Sequence, residues 1–135
     1  MGNELVILNK YSIIERCIKR IKEIYENNPE NLKDYNKQDA IVLNLQRACQ
    51  AAIDIAMYII SVKNIGIPQS IKGAFTVLED NNIITSEMAK KMRGMLGFRN
   101  IAVHEYQELD LDIIQSIIEN HLQDLLDFAR EMLKI

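Results

Sequence analysis

The sequence predicts an all-α protein, an antiparallel up-and-down bundle of four long helices and one short helix. Apolar residues recur every three to four positions over long stretches, which is the period of a helix with one buried face. Five glycines and two prolines in 135 residues are too few for the many turns of an all-β protein. Short polar segments separate the helical stretches, and connections of that length join neighbouring antiparallel helices.

The length and composition predict one domain spanning residues 1–135. Hydrophobic residues make up 48% and charged residues 26% of the chain, as in globular proteins. No apolar run approaches about 18 residues, so no membrane span is expected, and the start becomes charged too early for a signal peptide. Cys17 and Cys49 form no metal or redox spacing, which predicts buried, reduced thiols in a cytoplasmic protein.

The first helix is predicted from about Leu5 to Glu26. The segment NNPENLKDYN ends it, because Asn and Pro favour turns over helix. Apolar side chains at helical spacing predict its buried face: Ile14, Cys17, Ile18, Ile21, Ile24 and Tyr25.

The second helix is predicted from Asn36 or Lys37 to about Lys63, with Asn36 as its N-cap. Its second half, AAIDIAMYII, is apolar almost all round, so we expect other helices or a second subunit to surround it. Asp54 is the one charge in that stretch. The apolar helix therefore favours a homodimer, because one small bundle has few faces to cover it.

A shorter helix is predicted from Ser70 to Asp80. The next is predicted from about Glu87 to Ala102 or a little further, capped by Thr85 or Ser86.

A single last helix is predicted to follow LDLD, capped by Asp110 or Asp112, and to run towards Lys134. Its apolar stripe contains His121, which we interpret as a hydrogen-bonded core or interface histidine rather than a catalytic one.

The segment GMLGFRNIAVHEY is the most informative part of the chain. On a helical wheel Arg99 falls in the middle of the apolar stripe formed by Met88, Met92 and Met95. Arginine is rarely buried unless it is paired. Either Arg99 has a buried acidic partner, for which Asp54 is the best candidate, or the stripe opens there onto a cleft.

His104 lies five residues beyond Arg99. In a continuous helix the two positions are about 140° apart around the axis and about 7.5 Å apart along it. They could converge if the helix ends or bends near residues 102–104. They could also converge across a two-fold axis, with the Arg of one chain beside the His of the other.

The residues R-N-I-A-V-H, from Arg99 to His104, resemble the motif of the HEPN superfamily, an Arg followed after four to six residues by a His. Asn100 also matches, because that family usually places a polar residue directly after the Arg. His104-Glu105-Tyr106 resembles the narrower HepT branch, whose pattern is Arg, four residues, His, one residue, Tyr.

The segment LQRACQAAIDIAMYII, from Leu45 to Ile60, resembles the second helix of the HepT branch. That helix often carries a His where this chain has Tyr58. The resemblance covers most of the chain, and the helix count agrees with it.

The resemblance implies a helical domain that dimerises and cleaves RNA without a metal or cofactor. The catalytic residues would be Arg99, His104 and Asn100, in a cleft at the dimer interface. It also implies a partner, a small MntA-like nucleotidyltransferase antitoxin that neutralises the toxin by attaching AMP to Tyr106.

The residue types suit this chemistry. A neutral imidazole has a pKa near the operating pH, so His104 could take the proton of the 2′-OH or protonate the leaving 5′-oxygen. The guanidinium of Arg99 would stabilise the negative charge of the phosphorane-like transition state. Asn100 could orient the phosphate or the histidine.

Structural roles for the same residues remain open. Arg99 could pair with Asp54, His104 could cap a helix end, and Tyr106 could be a partly buried interface aromatic. The runner-up function is a non-catalytic HEPN module that binds a nucleotide or a nucleotidyltransferase partner.

The net charge of −3 argues against a general nucleic-acid binder. It leaves room for a small basic site. The segment from residue 87 to 106 has a net charge of +2, and its cations could form a strip that holds RNA phosphates or an ordinary solvated face. These cations are Lys90, Lys91, Arg93 and Arg99.

Overall fold

The computed structural model describes the backbone of residues 2–104 and 110–135, and the side chains of residues 5–97 and 110–135. This part of the chain contains six α-helices, one short 3-10 turn and no strand, so the predicted all-α fold class is confirmed. The elements are α1 (Gly2–Tyr25), the 3-10 turn (Pro29–Lys33), α2 (Tyr35–Lys63), α3 (Ile71–Asp80), α4 (Ser86–His104), α5 (Leu111–Asn120) and α6 (Leu122–Met132).

The predicted single last helix is wrong, because the chain breaks at His121 into α5 and α6. Asp110 caps α5 by accepting a hydrogen bond from the Asp112 amide at 2.9 Å. The break contains no Gly or Pro, and the apolar spacing continues across it, so periodicity alone does not reveal it. His121 is 48% exposed at this corner and not in the core, and its Nδ1 lies 3.1 Å from Oδ2 of Asp124.

The long helix α2 forms the centre of the bundle and contacts α1, α3, α4 and α6. Its N-cap is Asp34 and not the predicted Asn36: Oδ1 of Asp34 accepts a hydrogen bond from the Lys37 amide at 3.1 Å. Twelve of its residues are buried by the chain's own helices, so the apolar second half is largely covered without a second subunit. Apolar side chains remain exposed on its outer side: Leu43, Met57 and Val62.

The core continues between the other helices. The rings of Phe75 on α3 and Phe128 on α6 meet edge to face, with centroids 5.4 Å apart. Cys17 and Cys49 are both buried free thiols, as the sequence predicts. No helix of the described residues has the length and apolar character needed to cross a membrane.

A buried tyrosine ties the end of α1 to α5. The hydroxyl of Tyr25 donates a hydrogen bond to the carboxylate of Glu119. Burial raises the pKa of Tyr25 to about 12, and the hydrogen bond and negative charge of Glu119 add to this shift. The phenol is therefore neutral at every pH at which the protein would act.

We expect Tyr25→Phe to lower the free energy of unfolding by about 1–2 kcal/mol near neutral pH, because it removes a hydrogen bond to a carboxylate. In the wild type, the stabilisation from the raised pKa is complete below about pH 10, the unfolded pKa of tyrosine, and is lost as the pH rises towards about 12. Thermal unfolding across this range should show a pH dependence that the variant lacks. Tyr35→Phe, at a residue that is 79% exposed, is the matched control, and equal slopes in both variants would contradict the prediction.

Candidate functional site

The helix α4 carries the Arg-x4-His motif, and its first half is firmly anchored. Thr85 is its cap, because its Oγ1 accepts a hydrogen bond from the Met88 amide at 3.1 Å. The predicted methionine stripe is confirmed as the buried face of the helix, together with two neighbours. The buried residues are Met88, Ala89, Met92, Met95 and Leu96.

Ion pairs hold the other side of this half-helix. Nη1 of Arg93 lies 3.1 Å from Oε1 of Glu79 on α3. The hydroxyl of Ser86 and the guanidinium of Arg93 lower the pKa of the Glu79 carboxyl, so this group stays charged. Nζ of Lys91 lies 3.3 Å from Oε1 of Glu87, one turn earlier on the same helix.

These pairs change the interpretation of the predicted basic strip. Two of its cations, Lys91 and Arg93, are partnered by carboxylates, and Lys91 also lies 3.9 Å from Asp124 on α6. Lys90 is exposed and forms no ion pair with the described side chains. The strip on this half of α4 is therefore largely neutralised and is a poor surface for RNA phosphates.

The motif lies in the second half of α4, which remains helical as far as His104. This agrees with the predicted end at Ala102 or a little further, and the helix does not end before His104. On a continuous helix the backbone positions of Arg99 and His104 are about 140° apart, and Arg99 continues the row of Met92 and Met95. The side chains of residues 98–104, including Asn100, lie outside the described part.

Tyr106 lies outside the described residues, so its position beside His104 stays a prediction. The same holds for every side-chain contact of the motif. The structure settles only the backbone path that carries Arg99, Asn100 and His104.

Asp54, the candidate partner of Arg99, has other partners. Its Oδ2 lies 3.0 Å from Nζ of Lys10 on α1, and its Oδ1 accepts a hydrogen bond from Nε2 of Gln50 at 2.9 Å. The Asp54 side chain is 36% exposed, so it is not the isolated buried charge that its apolar neighbours suggested. A pairing of Asp54 with Arg99 stays a prediction.

A second polar feature, which sequence reasoning missed, is an open groove of about 610 Å³ between α1 and α2. Its cations are Lys10, Arg16, Arg20 and Arg47, and its one carboxylate is Asp54. The sequence of α1 did contain a signal for the groove, because residues 10, 13, 16, 17 and 20 recur at helical spacing and share one face. The contribution of Arg47 could not be recognised without knowing which face of α2 meets α1.

Comparison with known proteins gives consistent matches over nearly the whole chain. The HepT-like family model, described as ribonuclease HepT-like, matches residues 14–132. The mRNA nuclease HepT of Shewanella oneidensis is 46% identical over 123 residues, which cover 91% of this chain and 92% of that protein. The tRNA nuclease HepT of Aphanizomenon flos-aquae is 30% identical over 130 residues, covering 95% of this chain and 88% of that protein.

A solved structure also matches in three dimensions. It is the tri-AMPylated HEPN toxin of Shewanella oneidensis in complex with its MNT antitoxin, with a TM-score of 0.90 and 44% sequence identity. The match covers 96% of this chain and 98% of that toxin chain. The aligned region therefore contains almost all of the bundle described above, with α5 and α6 included.

Proposed function

This chain belongs to the HepT-like ribonuclease family, and we propose from that membership that it is an RNA-cleaving toxin neutralised by a nucleotidyltransferase antitoxin. The observation that carries the proposal is the family match over residues 14–132, which includes the whole of α4 with its Arg-x4-His motif. The tri-AMPylated state of the related toxin supports AMP transfer as the means of neutralisation. The proposed place of action is the cytoplasm, where free thiols stay reduced.

The proposed reaction needs three groups of the motif and no metal. His104 takes the proton of the 2′-OH as general base or protonates the leaving 5′-oxygen as general acid. Arg99 stabilises the negative charge that grows on the phosphate in the transition state. Asn100, the next residue on the helix, positions the phosphate or the histidine.

The proposed site is shared between two chains. Because α4 is helical through His104, the positions of Arg99 and His104 do not share one side of the helix. A two-fold axis would instead bring Arg99 of one chain beside His104 of the other.

We expect the purified chain to sediment as a dimer at tens of micromolar, and we expect complementation between two inactive variants. If the site is shared, mixing Arg99→Ala chains with His104→Ala chains forms hybrid dimers in which one of two sites is intact. An equal mixture should then recover about a quarter of the wild-type activity. Each variant mixed with itself is the control, and a monomer or an inactive mixture would contradict the shared site.

The cleavage assay tests the function itself. The purified protein, incubated with RNA in the presence of EDTA, should cleave it, and His104→Ala should lose this activity. His121→Ala is the matched control, because it removes the other histidine at an exposed corner between α5 and α6. A wild-type protein that binds the antitoxin but cleaves no RNA would favour the alternative, a non-catalytic HEPN module.

A further inference from the structure

The groove between α1 and α2 contains cations that no described carboxylate neutralises. Arg16 on α1 and Arg47 on α2 are exposed, and neither forms a hydrogen bond or ion pair with any described residue. Both lie close to the Cys17 thiol: burial raises its pKa, and the positive charges of Arg47 and Arg16 oppose that shift. Two guanidinium groups without a partner among the described residues therefore flank the same point of the groove from opposite walls.

The two ends of the groove differ from its centre. At one end Lys10 is paired with Asp54 at 3.0 Å. At the other end Arg20 lies 3.5 Å from Glu23, and both side chains are more than half exposed, so this pair is weak. The positive charge that no described carboxylate compensates therefore lies at the centre, at Arg16 and Arg47.

The floor of the groove is apolar. It consists of the buried residues Cys17 and Ala51 and the partly buried Ile13. Asn44 borders the groove, and its Nδ2 donates to the carbonyl of Ala40 at 2.8 Å, which leaves its Oδ1 as an acceptor. An apolar floor beside guanidinium groups that no described carboxylate pairs with suits a flat base joined to a phosphate, because arginine both stacks on bases and binds phosphate.

We propose that this groove binds a nucleotide unit of single-stranded RNA and anchors the substrate at a second point, separate from the motif on α4. The proposal rests on the proposed ribonuclease function and extends it. The groove is lined by residues of α1 and α2, with no described residue of α4 among them. Four cations and one carboxylate line this groove in a chain of net charge −3, and this excess of positive charge favours a polyanion over an acidic patch of a folded protein, whose charges are sparser.

A binding assay separates this proposal from catalysis. The probe is a fluorescent 12-nucleotide single-stranded RNA with 2′-O-methyl groups, which cannot be cleaved through the 2′-OH. Arg16→Gln combined with Arg47→Gln should weaken binding about tenfold or more, and the slope of log affinity against log salt should fall by about 1.4, for two lost phosphate contacts. The matched control, Lys63→Gln combined with Lys134→Gln, removes two exposed charges elsewhere and should change affinity less than about twofold.

The cleavage kinetics give a second readout. Because no described residue of α4 lines the groove, the double arginine variant should raise KM for long RNA and leave the turnover of a dinucleotide substrate unchanged. Circular dichroism should show the variant folded, since both arginines are exposed. Cleavage by the wild type with no effect of the arginine variant on either readout would overturn the groove and leave the ribonuclease proposal intact. RNA binding that depends on these arginines, without any cleavage, would support the groove and contradict the ribonuclease proposal.

Other outcomes also decide the assignment. AMP or ATP alone, displacing the RNA probe with equal affinity, would assign the groove to a free nucleotide and overturn the proposal for an RNA strand. Unchanged RNA binding with a lost antitoxin complex would assign it to the protein partner. A wild-type protein that does not bind the probe would overturn the proposal outright.

Discussion

Arg99→Ala is expected to lower the rate of RNA cleavage by about 10²–10³-fold while the melting temperature stays nearly unchanged. The loss follows from removing a fixed positive charge at the point where the transition state becomes more negative. The corresponding loss for His104→Ala, which removes the acid–base group, is about 10²–10⁴-fold. Single-turnover cleavage and thermal unfolding of the same preparations measure both quantities.

Arg93→Ala is the control for Arg99→Ala. It removes an arginine from the same helix, but one whose partner is Glu79 on α3 and whose side chain is two-thirds buried. It should keep full cleavage activity. A loss of about 3–5 kcal/mol of stability in Arg99→Ala would contradict a purely functional role, because this is the cost of leaving a buried partner charge uncompensated.

The variant Asp54→Asn tests whether Asp54 is the partner of Arg99. If Arg99 and Asp54 form a buried pair, the two single variants should lose similar stability, and the double variant should lose little more. If Asp54 serves Lys10 and Gln50 alone, the two losses should add.

Tyr106→Phe is expected to abolish AMP attachment and with it the neutralisation of the toxin. The phenol of tyrosine has a pKa near 10, so it is neutral near pH 7. It must therefore be exposed for the nucleotidyltransferase to reach it. AMP on this residue, two positions after His104, would place negative charge beside Arg99 and His104. That charge competes for the guanidinium and repels the phosphates of incoming RNA.

Intact mass measurement after co-expression with the antitoxin tests this directly. The wild type should gain one or more AMP-sized increments, and Tyr106→Phe should gain none and stay toxic in cells that contain the antitoxin. Tyr35→Phe, at an exposed residue of α2, should behave as the wild type. An AMP-sized increment that persists in Tyr106→Phe would place the modification on another residue.

The sequence by itself determined the helices and the motif. Helix bounds follow from local effects, the 3.6-residue apolar period and the capping residues, and these need no knowledge of distant parts of the chain. The predicted ends of α1 and α3 therefore lie within three residues of those observed. Thr85 and Asp110, each one of two predicted candidates, are the caps. The spacing of Arg99, His104 and Tyr106 is also a local property, and it pointed to the family before any fold was known.

Only the tertiary structure decided which charges meet. Lys10 and Asp54 are 44 residues apart in sequence, and their pairing depends on the register of α1 against α2, which no local pattern encodes. The same register gathers Arg16 and Arg47 around one groove, while the packing of α3 against α4 neutralises Arg93 with Glu79. The break at His121 belongs to this class too, because an unbroken apolar spacing is compatible with one straight helix or with two that turn around the core. Side-chain partners separated by a long stretch of chain are selected by packing, and packing is a property of the whole bundle.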